Sequence, residues 1–373
     1  MIYLDSAATT FQKPSAVSRA MMRAFRTMSS PGRGGYAEAM RAAETVFACR
    51  CLLAELYGVE DPGRVVFTMN ATHSLNLAIK SLVQPGGRVV ISGWEHNAVT
   101  RPLRALEANV SVAAGRLFDG GSVLEDFRRL ITPQVDAVIC THVSNAFGFI
   151  LPVEEIAVLC QQRGVPLIVD ASQSAGCLPL HISQLGAAFI AMPGHKGLYG
   201  PQGTGVLLCG GEQARSLIEG GTGSLSVQQE MPDFLPDRLE AGTHNVPGIA
   251  GLLAGIEYVR ERGMEAILDG ERQLIRMAAD GLRGIRGVRA YCGEAQTGVL
   301  SFTVRGVGTE EVAAALAEKG FALRAGLHCA PLAHASAGTL KTGTVRLSVS
   351  DFNTPEEIYR FLSATEEIAD GIF

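Results

Sequence analysis

Gly194-His195-Lys196-Gly197-Leu198-Tyr199-Gly200-Pro201-Gln202-Gly203-Thr204-Gly205 sets a single lysine, preceded by a histidine, in a glycine-rich loop. Glycines let a backbone come close to a planar ligand, and a lysine amine held in such a loop is suited to forming a Schiff base with an aldehyde. Upstream, Val165-Pro166-Leu167-Ile168-Val169-Asp170 is a short apolar run that ends in a carboxylate. It predicts a buried parallel strand with Asp170 at its carboxyl end, the end at which open α/β sheets bind ligands. Taken singly, Asp170 would read as a helix cap and Lys196 as a solvated loop charge. Together they suit pyridoxal 5′-phosphate. A strand-end carboxylate keeps the pyridine nitrogen protonated, and the lysine holds the aldehyde and later moves a Cα proton.

Outward from this pair, strands and helices alternate. Strands are predicted at 64–68, 88–92, 135–141, 166–170, 188–192 and 205–209, with helices at 74–82 and 100–107. The alternation implies a mostly parallel sheet with crossover helices, an α/β fold. The stretch 14–57 reads as helical, with an apolar 3.6-residue repeat from Glu38 to Leu56 that Gly58 ends. A second helical stretch runs from about 248 to 282. A β-rich end follows, with strands at 298–304 and 345–349, a turn region at 320–324 and a closing helix at 355–369. Two domains are expected, a large ligand-binding domain over 1–258 and a smaller α+β C-terminal domain over 259–373.

Composition narrows the function classes. At 47% hydrophobic and 18% charged, the 373-residue chain has the makings of a large core and lacks a disordered tract. A net charge of −5 argues against a nucleic-acid partner. No apolar run is long enough for a membrane helix. The N-terminus lacks a basic segment followed by an apolar core, so no secretory signal and a cytoplasmic location are expected. The eight cysteines are scattered, with no Cys-x-x-Cys pair, which predicts mostly buried free thiols and no metal site.

Other strand ends carry polar groups toward the same rim. Asn70-Ala71-Thr72-His73-Ser74 follows a strand and opens a helix, an arrangement that suits a phosphate. His96, in Glu95-His96-Asn97-Ala98, could stack on a pyridine ring and relay protons. Asn145 could bond a phenolic oxygen or a substrate carboxylate, and Gln173 the oxygen. Near the C-terminus, Leu323-Arg324-Ala325-Gly326-Leu327-His328-Cys329-Ala330-Pro331 sets a cysteine in a short polar loop, a candidate nucleophile. Arg346 on a strand could clamp a carboxylate. Read alone, Cys329 would be a structural thiol and Arg346 a solvent-facing strand residue.

Together these residues resemble the class V aminotransferase family, and within it the NifS/SufS-type cysteine desulfurases. The resemblance runs from Tyr3-Leu4-Asp5-Ser6-Ala7-Ala8 through Glu95-His96, Asn145, Asp170-x-x-Gln173, His195-Lys196 and Glu240-Ala241-Gly242-Thr243 to Arg324-x-Gly326-x-His328-Cys329 and Arg346-x-Ser348. It implies a PLP-dependent transferase of fold type I, with a seven-stranded-type sheet in the large domain. Lys196 would form the Schiff base, Asp170 would pair with the pyridine nitrogen, and His96 would stack on the ring. Gln173 and Asn145 would contact its oxygen side, and Thr72, His73 and His195 the phosphate. Thr243 would reach the phosphate of a neighbouring subunit, implying a homodimer with shared sites. Arg346, with Arg324 beside it, would hold the substrate carboxylate. Cys329 would take the sulfur of L-cysteine as a persulfide, releasing alanine and passing sulfur to an acceptor protein, as in iron–sulfur cluster assembly. Selenocysteine lyase and other class V chemistry are the alternatives. The short Cys329 loop resembles the SufS-type branch, although Pro193 replaces a usual serine or threonine and Leu327 a usual histidine.

Overall fold

In the computed structural model, which describes residues 1–32, 34–211 and 213–371, the chain folds in an unbroken order of strands and helices. The first half contains β1 (Ile2–Tyr3), α1 (Ser15–Thr27), α2 (Ala37–Tyr57), β2 (Val65–Thr68), α3 (Ala71–Leu82), β3 (Arg88–Ser92), α4 (Asn97–Ala105), β4 (Asn109–Ala113), α5 (Gly120–Leu130), β5 (Ala137–Thr141), α6 (Val153–Arg163) and β6 (Leu167–Asp170). The second half contains α7 (Ile182–Leu185), β7 (Phe189–Pro193), β8 (Gly205–Cys209), α8 (Val246–Arg262), α9 (Met264–Gly284), β9 (Val288–Tyr291), β10 (Val299–Val304), α10 (Thr309–Glu318), β11 (Phe321–Ala322), β12 (Arg324–Gly326), α11 (Pro331–Ser336), β13 (Thr344–Ser348) and α12 (Pro355–Asp370).

Seven strands form the main sheet in the order β2-β8-β7-β6-β5-β3-β4. β8 runs against both neighbours, and the remaining pairs are parallel. Apart from the edge strand β4, the strand sequences are apolar on both faces because helices cover both. Val90, Val138, Cys140, Val169 and Met192 enter one core, while Val89, Ile91, Ile139, Ile168 and Ala191 enter the other. That division follows the two-residue period of a strand.

A second, antiparallel sheet, β12-β13-β10-β9, builds its own core with α9 and α12. Ile2 and Leu4 join this second core, because β1 pairs in parallel with β11. The expected division at 258/259 falls inside α8. The helical stretch predicted to run on to 282 is broken at Gly263, whose φ of +84° suits glycine. On one side of that break α8 packs on α1 and α2, and on the other α9 packs on α12 and β9.

The stretch predicted as helical over 14–57 is likewise two helices, separated by residues 28–36. β4 and α5 carry weak sequence signals. β4 is a largely exposed edge strand without an apolar run, and α5 opens on Gly120-Gly121. Asp119 caps α5 by accepting the Ser122 N–H, and Val123 and Phe127 bury its inner face, so packing overrides propensity.

Candidate active site

At the carboxyl ends of the parallel strands lies a cavity of about 200 Å³. Thr72, His96, Asn145, Asp170, Gln173, His195, Lys196, Arg324, Cys329 and Arg346 all line it. The carboxyl ends of β2, β3, β5 and β6 and the segments that follow them supply the first five of these groups, as the converging strand ends predict. His73 and Thr243 are absent from this lining. They line a neighbouring pocket of about 160 Å³ instead.

Asp170 ends β6 at 2% exposure, paired in register with Thr141 of β5, and its Oδ1 accepts the Ser172 N–H at 2.9 Å. His96 is the N-cap of α4. Its Nδ1 accepts the Ala98 N–H at 3.0 Å, so the neutral ring carries its proton on Nε2. Burial lowers the His96 pKa, with Asp170 opposing, so the ring is neutral near pH 7.

Lys196 follows β7 in a loop held by the N-terminal segment. Thr10 N–H and the Thr9 and Thr10 hydroxyls all donate to the His195 carbonyl, each at 3.1 Å. Burial pulls the Lys196 amine down to about 8, with Asp170 opposing and Arg346 and Arg324 assisting. A close backbone contact also shapes this loop. Gly176 has φ of +90°, and a Cβ there would lie 2.1 Å from the Gly197 carbonyl oxygen. Lys13 is a lysine that sequence reasoning passed over. It donates to Thr10 Oγ1 at 2.8 Å, and burial lowers its amine to about 8.

The phosphate-type corner lies at the start of α3. Asn70 caps that helix, accepting the His73 N–H at 2.9 Å, and the first helical N–H groups have no intrahelical acceptor. His73 therefore contributes its backbone to the cap, while its ring faces the neighbouring pocket. His195 is neutral, its pKa pulled down to about 4 by burial and by Lys196, and its Nδ1 has no partner among the described residues.

Two of the expected ligand-binding amides are already engaged. Asn145 Nδ2 donates to the His328 carbonyl at 2.7 Å, and Gln173 Nε2 to the Ala7 carbonyl at 3.0 Å. Arg346 is 2% exposed, which excludes a solvent-facing strand arginine. Its Nη2 meets Asp5 Oδ1 at 2.6 Å, its Nη1 donates to the Asn145 carbonyl at 3.0 Å, and its Nε has no partner among the described residues. Arg324 lies directly across the β12–β13 pair from Arg346 and is exposed. Asp5 stands in the N-terminal Tyr3–Ala8 motif, but no local spacing links it to an arginine far along the chain.

Cys329 is the exposed thiol; Cys51 and Cys292 are partly buried and the other five cysteines buried. His328 and Cys329 both take positive φ, +51° and +56°. Asn97 N–H donates to the Cys329 carbonyl at 2.7 Å, and the His328 ring meets the Thr344 carbonyl at 3.1 Å, which fixes the turn. Burial, Arg346 and His334 drive the His328 pKa down to about 2, so it stands beside Cys329 as a neutral ring.

Glu240 and His244, which flank Thr243 in the chain, belong to one polar cluster. Glu240 pairs with Arg50, accepts the Phe67 N–H at 2.6 Å and faces His244 Nε2 at 3.1 Å. Among the described residues there is no metal-ready cluster of His, Cys, Asp and Glu, and no helix long and apolar enough to cross a membrane.

The family model described as Aminotransferase class-V matches residues 2–361. A "Probable cysteine desulfurase" of Mycolicibacterium paratuberculosis is 34% identical over all of this chain, which spans 56% of that relative's length. A "Probable cysteine desulfurase" of Methanothermobacter thermautotrophicus is 34% identical, with 99% of this chain and 94% of the relative covered. The apo cysteine desulfurase structure from Thermococcus onnurineus is similar at a TM-score of 0.90 and 31% identity, covering 99% of this chain and 95% of that one.

Proposed function

This chain belongs to the class V aminotransferase family, and we propose that it is a pyridoxal 5′-phosphate-dependent L-cysteine desulfurase. The observation that carries the reading is the exposed Cys329 on the wall of the same cavity as Lys196, Asp170, His96 and Arg346. A transaminase needs no thiol there.

The residues fit the cofactor. A buried carboxylate, a neutral imidazole and a lysine amine of lowered pKa line one cavity, and His195, whose Nδ1 has no partner among the described residues, lines it together with Ala71 and Thr72 at the start of α3. Asp170 would hold the pyridine nitrogen and His96 the ring face, with Thr72 and His195 at the phosphate and Lys196 at the aldehyde. When bound, the cofactor supplies an electron sink for charge developing at the substrate Cα.

Arg346 would bind the substrate carboxylate, with the exposed Arg324 adding attraction at the mouth. Lys196 Nζ would take the Cα proton, because an amine near 8 is partly neutral at working pH. Cys329 Sγ would attack the substrate sulfur. One S–S bond forms, the Cβ–S bond breaks, and Cβ gains a proton to give alanine, leaving the added sulfur on Cys329 for an acceptor protein.

A homodimer is part of the proposal. Met22, Phe25, Met40 and Phe47 leave the faces of α1 and α2 exposed, an apolar surface that a second copy would cover. His73 and Thr243 share their own pocket, in keeping with a site completed across subunits.

The test is incubation of the cofactor-loaded protein with L-cysteine, assaying alanine and weighing the peptide that contains Cys329. Alanine with one added sulfur on that peptide is the expected result. Absence of alanine overturns the desulfurase reading. Alanine from selenocysteine alone would point to the lyase, and a keto acid to a transaminase.

A further inference from the structure

Glu95 is a fully buried carboxyl that the reaction above does not use. Its Oε1 accepts the Ser92 hydroxyl and the Thr141 N–H, the latter at 2.6 Å. These donors stand at the ends of adjacent parallel strands, Ser92 on β3 and Thr141 on β5. The pairing of β3 with β5 runs from Val89↔Ala137 to Ile91↔Ile139 and stops there. Beyond it β3 turns through Gly93 and Trp94 toward His96, so the Thr141 N–H finds a carboxyl where the ladder would have supplied a carbonyl. Two residues of the cavity hang on this junction: His96 follows Glu95 directly, and Asp170 pairs in register with Thr141.

We propose that Glu95 is a positioning residue: by joining the end of β3 to the end of β5 it fixes His96 and Asp170 relative to one another in the cavity, His96 for the face of the cofactor ring and Asp170 for its nitrogen. The proposal rests on the reading that these two residues hold that ring.

The charge state of Glu95 follows from its surroundings. Asp170 is the charged group facing it, Cys140 is a buried thiol nearby, and among the described residues no cation shifts it. Burial and Asp170 push its pKa up to about 8, so it is a neutral acid near pH 7. Its Oε2 has no partner among the described residues. A neutral acid that uses one carbonyl oxygen as a double acceptor is matched by glutamine, whose amide oxygen accepts the same two donors. A leucine fills the volume and accepts neither.

The experiment titrates the cofactor-free protein with pyridoxal 5′-phosphate by absorbance at pH 7, for the wild type, Glu95→Gln and Glu95→Leu, with thermal unfolding of each. The expected result is an affinity within about twofold of the wild type for Glu95→Gln and a loss of about tenfold or more for a folded Glu95→Leu. A folded Glu95→Leu that binds as tightly as the wild type overturns the proposal, as does a Glu95→Gln as weak as the leucine variant. Amide exchange in the wild type tests the join without any variant. Thr141 N–H is expected to exchange as slowly as the ladder amides of Val138 and Ile139, and exchange at loop rates overturns it. A wild type that binds no pyridoxal phosphate sinks the functional reading, while Thr141 exchange still reports on the join.

Discussion

Asp5 Oδ1 lies 2.6 Å from Arg346 Nη2, although 341 residues separate the two in the chain. The pair closes a strap. From β1, paired with β11, the chain passes Asp5 on Arg346, Ala7 on Ser348 Oγ and Gln173, and Thr9 and Thr10 on the His195 carbonyl. One short segment thus ties the second sheet, which carries both arginines, to the loop that carries Lys196.

The Asp5–Arg346 pair is expected to show its worth on removal of one partner. Arg346 is 2% exposed and the Asp5 side chain 19%, and stripping a partner from a charge so enclosed costs about 3 kcal/mol. Asp5→Asn should lower unfolding stability in urea by about that amount. Asp5→Asn combined with Arg346→Met should lose less than the sum of the two single changes, because no unpaired buried charge remains. Strict additivity in the double-variant cycle would mean that the pair is not coupled.

Lys196 should react with aldehydes according to its amine pKa. Only the neutral amine attacks, so the rate at which cofactor-free protein combines with pyridoxal phosphate should climb about tenfold per pH unit up to about pH 8 and level off above it. The Asp170 carboxylate opposes the fall in pKa more than Asp5 does. Asp170→Asn should therefore move the midpoint lower, and Lys196→Ala should abolish the reaction. Stopped-flow absorbance across the pH range measures all three, and an upward shift in Asp170→Asn would contradict the assigned sign.

Cys329→Ser should separate the thiol from the rest of the site. Cofactor binding should be unchanged, because nothing at the Lys196 end depends on the thiol. Sulfur transfer from L-cysteine to an acceptor should fall roughly 100-fold or more, since a serine hydroxyl is a far weaker nucleophile than a thiolate. Labelled sulfur appearing in an acceptor at the wild-type rate would remove Cys329 from the mechanism.

Gly176→Ala is expected to damage the lysine loop from a distance in sequence. Its Cβ would meet the Gly197 carbonyl oxygen at 2.1 Å from a φ of +90°, and backbone cannot swing away as a side chain can. A loss of roughly 3 kcal/mol should follow. Gly203→Ala, also at positive φ but with only an ordinary 3.8 Å contact from its Cβ to Asn245 Nδ2, should cost less. Thermal unfolding of both variants, with pyridoxal phosphate affinity alongside, checks the order.

The sequence by itself determined the α/β class and the parallel strands, because a strand buried on both faces must be apolar along its length, as Leu167-Ile168-Val169 is before Asp170 ends it at the ligand side. Lys196, Asp170, His96 and Cys329 were legible too, since each stands at a strand end or in a turn rich in glycine. Tertiary structure decided what contact alone creates. It set Asp5 on Arg346, engaged Asn145 with the His328 carbonyl, and turned His73 and Thr243 toward their own pocket. It lodged Glu95 beneath the site and broke the long helix at Gly263. Local pattern reports which face of an element is apolar. It carries no information on which distant residue comes to lie against that face, because that pairing is chosen by the packing of the whole chain.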